Sequence, residues 1–214
     1  IGTGVFTTLG LQAQEIQTGF ALLCLWGLGG LIALTGALSY GELAAALPRS
    51  GGEYHYLGRI YHPVLGVVAG WISVTVGFAA PTALAAMALG HYSATFATVA
   101  PMHVAVVSIL AISAFHAFSV RLGKQFHVAA TLMKVGLIGV FCMAGLLAEP
   151  AGGITVAPSP AGWREIITPA FAFSLIYVTY AYSGWNAAVY VAGEVRRPQR
   201  TSPAALVHGT LIVT

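Results

Sequence analysis

Charged residues are scarce in this sequence. Only 7% of its 214 residues are Asp, Glu, Lys or Arg, whereas an ordinary soluble domain carries about 25%. Hydrophobic residues make up 57% of the chain and the mean hydropathy is +0.83. This composition excludes a soluble globular domain. Because several apolar runs reach the roughly 20 residues that a bilayer-crossing helix needs, the sequence predicts an all-α, multi-pass transmembrane bundle.

Cysteine and the motifs of soluble enzymes are also scarce. Both cysteines, Cys24 and Cys142, fall inside predicted spans, where small packing residues are expected rather than a disulfide. The seven histidines show no metal-ligand spacing, and the Gly-rich stretch at Gly27 has no strand before it and no Lys-Ser/Thr after it. We therefore expect no enzymatic activity, no cofactor and no metal site. The basic residues are dispersed over short loops, so no nucleic-acid partner is expected.

The apolar runs predict an up-and-down path across the membrane. After a glycine-broken opening segment, spans are expected at 19–47, 63–97, 102–120, 126–147 and 168–192, and a seventh begins near Ala204. The chain starts and stops inside apolar segments and has no signal-peptide pattern. We therefore expect residues 1–214 to be a single transmembrane domain fragment of a longer protein.

Basic residues gather in alternate loops. Seven of them lie in the loops after the second, fourth and sixth spans: Arg49, Arg59, Arg121, Lys124, Arg196, Arg197 and Arg200. The other loops contain one, Arg164. By the positive-inside rule the first set faces the cytoplasm, which predicts an integral protein of the cytoplasmic (inner) membrane. Along the second span, small residues recur every four positions from Gly29 to Gly41, a pattern that predicts close helix packing.

Two short stretches place glycine and hydroxyl residues where a continuous helix would carry Leu or Ala. They are "IGTGVF" at the start and "AYSGWNAAVY" in the sixth span. Paired interrupted helices point to the binding site of a transporter. A half-helix beginning in mid-membrane offers N–H groups and a positive dipole to a carboxylate, while freed carbonyls suit an ammonium group. The alternative interpretation is that these glycines serve only close packing.

Charged residues of the remaining stretches suggest a gate and mark one lysine inside a span that needs a partner. In "SYGELAAALPRSGGEYHYL", Glu42, Arg49, Glu53 and Arg59 are candidates for a closing network on the cytoplasmic side, with ordinary boundary charges as the alternative. Lys134 lies ten positions beyond Lys124, so about 15 Å into a span. An unpartnered ammonium at that depth costs ~2.5 to 3.5 kcal/mol. Neighbouring apolar runs offer no Asp or Glu as its partner.

Four stretches carry a resemblance to a known family. "IGTGVF", "SYGELAAALPRSGGEYHYL", "TLMK" and "YAYSGWNAAVYVAGEVRRPQRTSP" resemble the corresponding stretches of the amino acid/polyamine/organocation family of permeases. The resemblance implies a leucine-transporter-like fold of two inverted repeats, the first at about 1–148 and the start of the second at about 165–214. It also implies that the first and sixth helices are unwound around a central substrate.

The same resemblance implies residue roles. Gly2, Thr3 and Gly4 match the turn that binds the substrate carboxylate, and Tyr182, Ser183 and Gly184 match the unwound stretch near the substrate amine. Tyr180 matches an aromatic gate, while Trp185 and Asn186 match residues that flank the pocket. Lys134 matches a lysine that replaces sodium in sodium-independent members, which would place its ammonium at the carbonyls around Ile1 and Gly2.

We therefore expect a secondary active transporter of amino acids or related amines that works by alternating access without sodium, by proton coupling or by exchange. Its expected partners are the small-molecule substrate, protons and the lipid bilayer; the sequence leaves the oligomeric state open. A polyamine or organic cation antiporter of the same fold is the alternative. A channel or scaffold subunit would instead need rings of polar residues, and a membrane enzyme would need convergent acid, base or metal groups.

Overall fold

The structure is a computed structural model that describes residues 4–96, 98–118, 120–147 and 156–214. Within these ranges the chain forms helices and short connections with no strand, so the predicted all-α class is confirmed. The α-helices are α1 (Gly4–Glu15), α2 (Gly19–Ala46), α3 (Gly52–Ile60), α4 (Pro63–Ile72), α5 (Ala80–Ser93), α6 (Pro101–Phe118), α7 (Val120–Leu147), α8 (Pro160–Ile166), α9 (Pro169–Ala181) and α10 (Pro198–Val213). A π-helix (Ser73–Ala79) joins α4 to α5, and a 3₁₀ helix (Trp185–Glu194) follows α9.

Four helical runs are long and apolar enough to cross a membrane: Gly19–Ala46, Pro63–Ser93, Pro101–Phe118 and Gly123–Leu147. A fifth crossing is made if the bent pair Pro160–Ile166 and Pro169–Glu194, which meet at 69°, counts as one span. These runs agree with the second to sixth predicted spans within a few residues at most ends. The chain is therefore an integral, multi-pass membrane protein.

The chain divides into two compact units. Unit 1 takes Ile1–Ser73 and Gly153–Thr214, and unit 2 takes Val74–Gly152. Unit 2 contains α5, α6 and α7. Its tightest approach is at Gly90, where an added Cβ would lie 2.2 Å from the carbonyl oxygen of Pro101, so the end of α5 touches the start of α6. The division into inverted repeats stays a prediction.

Helix α2 is the centre of unit 1, and its small residues explain why. Gly29, Ala33, Ala37 and Gly41 are all buried. A Cβ on Gly29 would lie 2.3 Å from a methyl group of Val178 in α9, and one on Gly41 would lie 3.3 Å from the Cα of Pro203 in α10. Without side chains in the way, α9 and α10 approach the α2 backbone closely. The predicted packing ridge is confirmed.

Four helices of unit 1, α2, α4, α8 and α9, begin after residues whose side chains accept a hydrogen bond from one of the first free N–H groups. Thr18 precedes α2 and its hydroxyl oxygen accepts a hydrogen bond from the N–H of Ala21 at 3.3 Å. Thr168 precedes α9 in the same way, bonding Phe171, and Pro169 occupies the first helical position. Such caps are favoured because the first turn of a helix has N–H groups with no partner inside the helix.

The two ends of unit 1 differ in charge. At one end the N–H of Gly193 donates to the hydroxyl of Ser50 at 3.0 Å, which brings the connections 47–51 and 195–197 together. The two connections contain three basic residues, Arg49, Arg196 and Arg197. At the other end Glu165 of α8 bonds the connection between α1 and α2. The basic connections of unit 1 therefore share one end, as the up-and-down path predicts.

Candidate functional site

The sixth predicted span is interrupted in the middle. Helix α9 ends at Ala181, a turn follows, and Gly184 has φ of +100° before the chain continues as the 3₁₀ helix. Residues with a side chain rarely adopt this φ, so glycine is required at position 184. The predicted break of this helix at residues 181–186 is confirmed.

The hydrogen bonds show how the helix changes at this point. The N–H of Tyr182 still donates to the carbonyl of Val178 at 3.0 Å, whereas that of Ser183 donates to Tyr180 and that of Ala187 to Gly184, each three residues back. The following 3₁₀ helix runs over 10 residues. Because 3₁₀ runs longer than three or four residues are uncommon and often mark a hinge, the segment Trp185–Glu194 is a candidate moving part.

The start of α1 touches this break. Gly4 is the first residue of α1 and is buried, and a Cβ on it would lie only 2.9 Å from the Cα of Ala181, the last residue of α9. Only glycine at position 4 allows this approach. The candidates Ile1, Gly2 and Thr3 lie outside the described residues, so the unwound start of the first helix stays a prediction.

Two cavities flank the break. One of about 340 Å³ lies between the break and α10, and one of about 260 Å³ lies between the break and α2. Ser183, Gly184 and Trp185 line both. The volumes are near the lower end of the range for small-ligand sites, about 300–1,000 Å³. The interrupted segment therefore borders two cavities of a size that suits a small solute.

The predicted substrate residues are distributed unevenly around these cavities. Tyr182 lines the larger cavity and Asn186 the smaller one. Tyr180 lies in the last turn of α9 and is in neither lining, while Thr179 contributes to the smaller cavity. Tyr182 is half-buried and packs edge-on against Trp26 of α2, with ring centroids 5.7 Å apart.

Glu53 of α3 is held by three neutral side chains. Its carboxylate accepts hydrogen bonds from Tyr40 of α2 and Asn186 of the 3₁₀ helix, both at 3.0 Å, and from Tyr190 of the same helix. The hydroxyl of Tyr190 also lies 2.9 Å from that of Ser73. We call Tyr40, Glu53, Asn186 and Tyr190 the Glu53 cluster. It joins the end of the interrupted span to α2 and α3.

The Glu53 carboxylate is stabilised in its ionised form. Burial by itself would raise the pKa of Glu53, but the hydrogen bonds donated by Tyr190, Asn186 and Tyr40 favour the charged form and outweigh that effect. The pKa of Glu53 therefore lies below its ordinary value. A carboxylate away from bulk water needs such donors or a cation, and here the donors are uncharged.

The predicted ionic network is not formed among the described residues, and the role of its members in a gate stays a prediction. Glu42, Arg49 and Arg59 are exposed, and among the described residues none of them forms an ion pair with Glu53 or with another acid. Sequence reasoning missed Tyr40, Asn186 and Tyr190 as partners of Glu53. The four-residue spacing of Asn186 and Tyr190 gives no signal here, because it aligns side chains in an α-helix and not in the 3₁₀ helix that they occupy.

Lys134 lies in α7 of unit 2 and is exposed within that unit. Its proposed contact, the carbonyls around Ile1 and Gly2, lies outside the described residues. Its coupling role stays a prediction.

Comparison with known proteins agrees with these features. The family model described as "Amino acid permease" matches residues 1–214. Over its whole length the chain is 28% identical to b(0,+)-type amino acid transporter 1 of Oryctolagus cuniculus, 26% identical to the cystine/glutamate transporter of Homo sapiens and 24% identical to the serine/threonine exchanger SteT of Bacillus subtilis. It covers 45%, 44% and 48% of these proteins, so it spans about half the length of the curated relatives it matches.

Proposed function

This chain belongs to the amino acid permease family, and from that premise we propose that the full-length protein is a secondary active transporter of amino acids or related amines. Its mechanism is alternating access around the interrupted sixth span. The observation that carries the proposal is the contact between Gly4 and Ala181 beside the break at Gly184. It brings the start of one helix to the end of another, where both can present main-chain groups to a solute.

The solute is bound through its ammonium and carboxylate groups. The carbonyls left by the change from α-helix to 3₁₀ helix near Tyr182 and Ser183 suit the ammonium group. The segment Gly2, Thr3 and Gly4 is assigned to the carboxylate, because helix N-termini favour negative charge. Tyr180 is assigned to an aromatic gate over the substrate. Side-chain hydroxyls and aromatic rings in this region favour a small, partly apolar amino acid.

The cytoplasmic gate is assigned to the Glu53 cluster rather than to an ionic network. Its donors Asn186 and Tyr190 lie on the 3₁₀ helix that continues from the break. Rotation of that segment therefore removes two of the carboxylate's three side-chain partners. Glu42 and Arg49 are assigned to the rim of the same gate, where they are exposed.

Coupling is assigned to Lys134 in place of sodium, by contact with the carbonyls of the first helix at Ile1. Transport is then sodium-independent and proceeds by proton coupling or by exchange. The relatives include proteins named as an exchanger and as a cystine/glutamate transporter. The basic connections around Arg49 and Arg196 face the cytoplasm, and the host membrane is the cytoplasmic membrane.

The test is uptake of radiolabelled amino acids into proteoliposomes that contain the full-length protein. Saturable, stereoselective uptake with counterflow is the expected result. Unsaturable flux would indicate a channel, and chemical conversion of the solute would indicate an enzyme. Competition by amines that lack a carboxylate distinguishes the polyamine or organic cation alternative, since such compounds do not need the segment from Gly2 to Gly4.

Two variants locate the site. Gly4→Leu is expected to abolish uptake while insertion into the membrane is retained, because the side chain would meet the backbone of Ala181. Lys134→Ala is expected to abolish coupling, and wild-type uptake is expected without sodium. Unchanged substrate affinity in Gly4→Leu, or uptake that requires sodium, would contradict these assignments.

A further inference from the structure

A chain of buried polar groups runs along α1 and ends in α2. The indole N–H of Trp26 donates to the side-chain oxygen of Gln12 at 3.1 Å, the Gln12 amide nitrogen donates to the hydroxyl of Thr8 at 3.4 Å, and that hydroxyl donates to the carbonyl of Gly4 at 2.7 Å. Gln12 is 1% exposed and Thr8 7%. None of these three side chains has a part in the transport site described above.

The direction of this series of hydrogen bonds is determined by the groups at its two ends. An indole can only donate a hydrogen bond and a backbone carbonyl can only accept one. The Gln12 amide therefore has to point its oxygen at Trp26 and its nitrogen at Thr8. Burying these groups costs free energy unless each has its partner. Loss of one hydrogen bond therefore leaves a buried polar group unpaired.

The ends of this chain meet the two segments that form the proposed site. One end is Gly4, which touches Ala181 at the end of α9. At the other end, the Trp26 ring packs edge-on against Tyr182, the residue at which α9 stops. The hydrogen bonds run from Gly4 to Gln12, eight helical steps along α1 or about 12 Å at the usual rise. This chain of polar groups therefore connects the start of α1 to the break through the body of α2.

We propose that Thr8, Gln12 and Trp26 are positioning residues that set the geometry of the substrate site by holding Gly4 and Tyr182 in register. Apolar residues of equal size would fill the same space but would remove the hydrogen bonds that link Gly4 to the ring packed on Tyr182. The inference rests on the proposed transport function for its kinetic test. A chemical test that does not depend on transport is given as well.

The kinetic test compares Trp26→Phe and Gln12→Met in the full-length protein. Phe keeps an aromatic ring against Tyr182, and Met keeps the volume of Gln. Each variant leaves a buried polar partner unpaired, so each is expected to raise KM for uptake about fivefold or more, with the maximal rate within about twofold of wild type. The double variant is expected to raise KM no further than the worse single variant, since both partners are then gone.

The controls separate positioning from general stability. Trp163→Phe changes an indole that is 59% exposed and packs on Phe20, and should leave KM unchanged. Thr8→Ser keeps the hydroxyl and should behave as wild type, whereas Thr8→Val should raise KM. A structural role alone would reduce the amount of protein in the membrane and leave KM unaltered. Unaltered KM in Trp26→Phe and Gln12→Met, or strictly multiplicative effects, would overturn the proposal.

The chemical test uses Ser183→Cys as a reporter at the break, in a full-length background where every native cysteine, Cys24 and Cys142 included, is replaced by Ala. Ser183 is exposed in both cavities. Its alkylation rate by a small methanethiosulfonate reagent is expected to change about threefold or more when Trp26→Phe or Gln12→Met is added, and not with Trp163→Phe. Equal rates in all backgrounds would overturn the positioning role. Absence of uptake by the wild type would refute the proposed function instead.

Discussion

The two ends of unit 1 each use one glutamate to attach α2 to its neighbours, but the donors differ in kind. At the basic end, Glu53 is held by the side chains of Tyr40, Asn186 and Tyr190. At the other end, Glu165 accepts the backbone N–H groups of Gln17 and Thr18 and the Thr18 hydroxyl, at 3.2, 3.1 and 2.6 Å.

The backbone donors Gln17 and Thr18 belong to the short connection before α2 and move only with the main chain, whereas side-chain donors can also change rotamer. Two of the Glu53 donors lie on the 3₁₀ helix, an uncommon conformation at this length. A second contact supports the Glu165 end, where Phe20 and Trp163 pack edge-on with ring centroids 5.0 Å apart. This difference supports the proposal that the basic end opens during transport while the other end stays closed.

The largest effect is expected from Glu53→Ala, which would remove the carboxylate at the centre of the Glu53 cluster. Three donors lose their acceptor, and a hydrogen bond to a charged group contributes about 1.5–3 kcal/mol, so the maximal uptake rate should fall about tenfold or more. Uptake normalised to protein in the membrane is the measurement. Glu15→Ala is the matched control, since Glu15 is an exposed acid of unit 1 outside the Glu53 cluster and outside the proposed gate. Equal rates in the two variants would show that the Glu53 cluster is not a gate.

Tyr190→Phe should have an intermediate effect at the same end. The Phe ring stays against Gly52, where an added Cβ would lie 2.9 Å from the ring. The hydrogen bonds of the Tyr190 hydroxyl with Glu53 and Ser73 are lost. We expect the maximal rate to fall about fivefold, and less in Tyr40→Phe, which gives up the single bond to Glu53. A larger loss of maximal rate in Tyr40→Phe than in Tyr190→Phe would indicate that α2, and not the 3₁₀ helix, is the moving part of the gate.

Glu165→Gln tests the end that is proposed to stay closed. Its uptake rate should stay within about twofold of wild type, since the Gln17 N–H is solvent-exposed and water can replace the lost acceptor. The expected cost is in stability, about 2–4 °C in the unfolding midpoint for each kcal/mol lost. Thermal unfolding of the purified protein measures it. A rate defect without a stability defect would reverse the roles of the two ends.

The smallest effect is expected from pH at the Glu53 cluster. The pKa of Glu53 is lower in the folded protein than its ordinary value of 4.5, so its contribution to stability is present above pH 4.5 and is lost as pH falls through the lowered pKa. Between about pH 6 and pH 8 the cluster should not titrate. Any pH dependence of wild-type uptake in that range should therefore persist in Glu53→Gln. Its disappearance would make Glu53 the coupling group.

The sequence predicted more of the fold than of the contacts. Span positions followed from runs of apolar residues, and the break at Gly184 followed from a glycine where a helix would not use one. The Glu53 cluster shows where prediction of contacts from the sequence stops. Glu53 was identified as a member, but its expected partners were nearby charges, whereas two of its actual partners lie 133 and 137 residues away.

Gln12 shows the same limit within the buried part of unit 1. Read from the sequence, it is a polar residue in a short helix with nothing to mark its partner. Its bond to Trp26 exists because the packing of α1 on α9 and of α9 on α2 turns that face of α1 inward. No local pattern carries that information, because hydrogen-bond partners are chosen by three-dimensional proximity.

By itself the sequence determined that this protein belongs in a membrane, that it is helical and where its apolar spans lie. It also determined the glycine at which the sixth span is interrupted. These depend on hydropathy and on backbone preferences, which are properties of short stretches of chain. Only the tertiary structure decided that Gly4 meets Ala181 and that neutral side chains, not arginines, hold Glu53. Those outcomes depend on which helices pack together, and packing is settled by the shapes of surfaces that lie far apart along the chain.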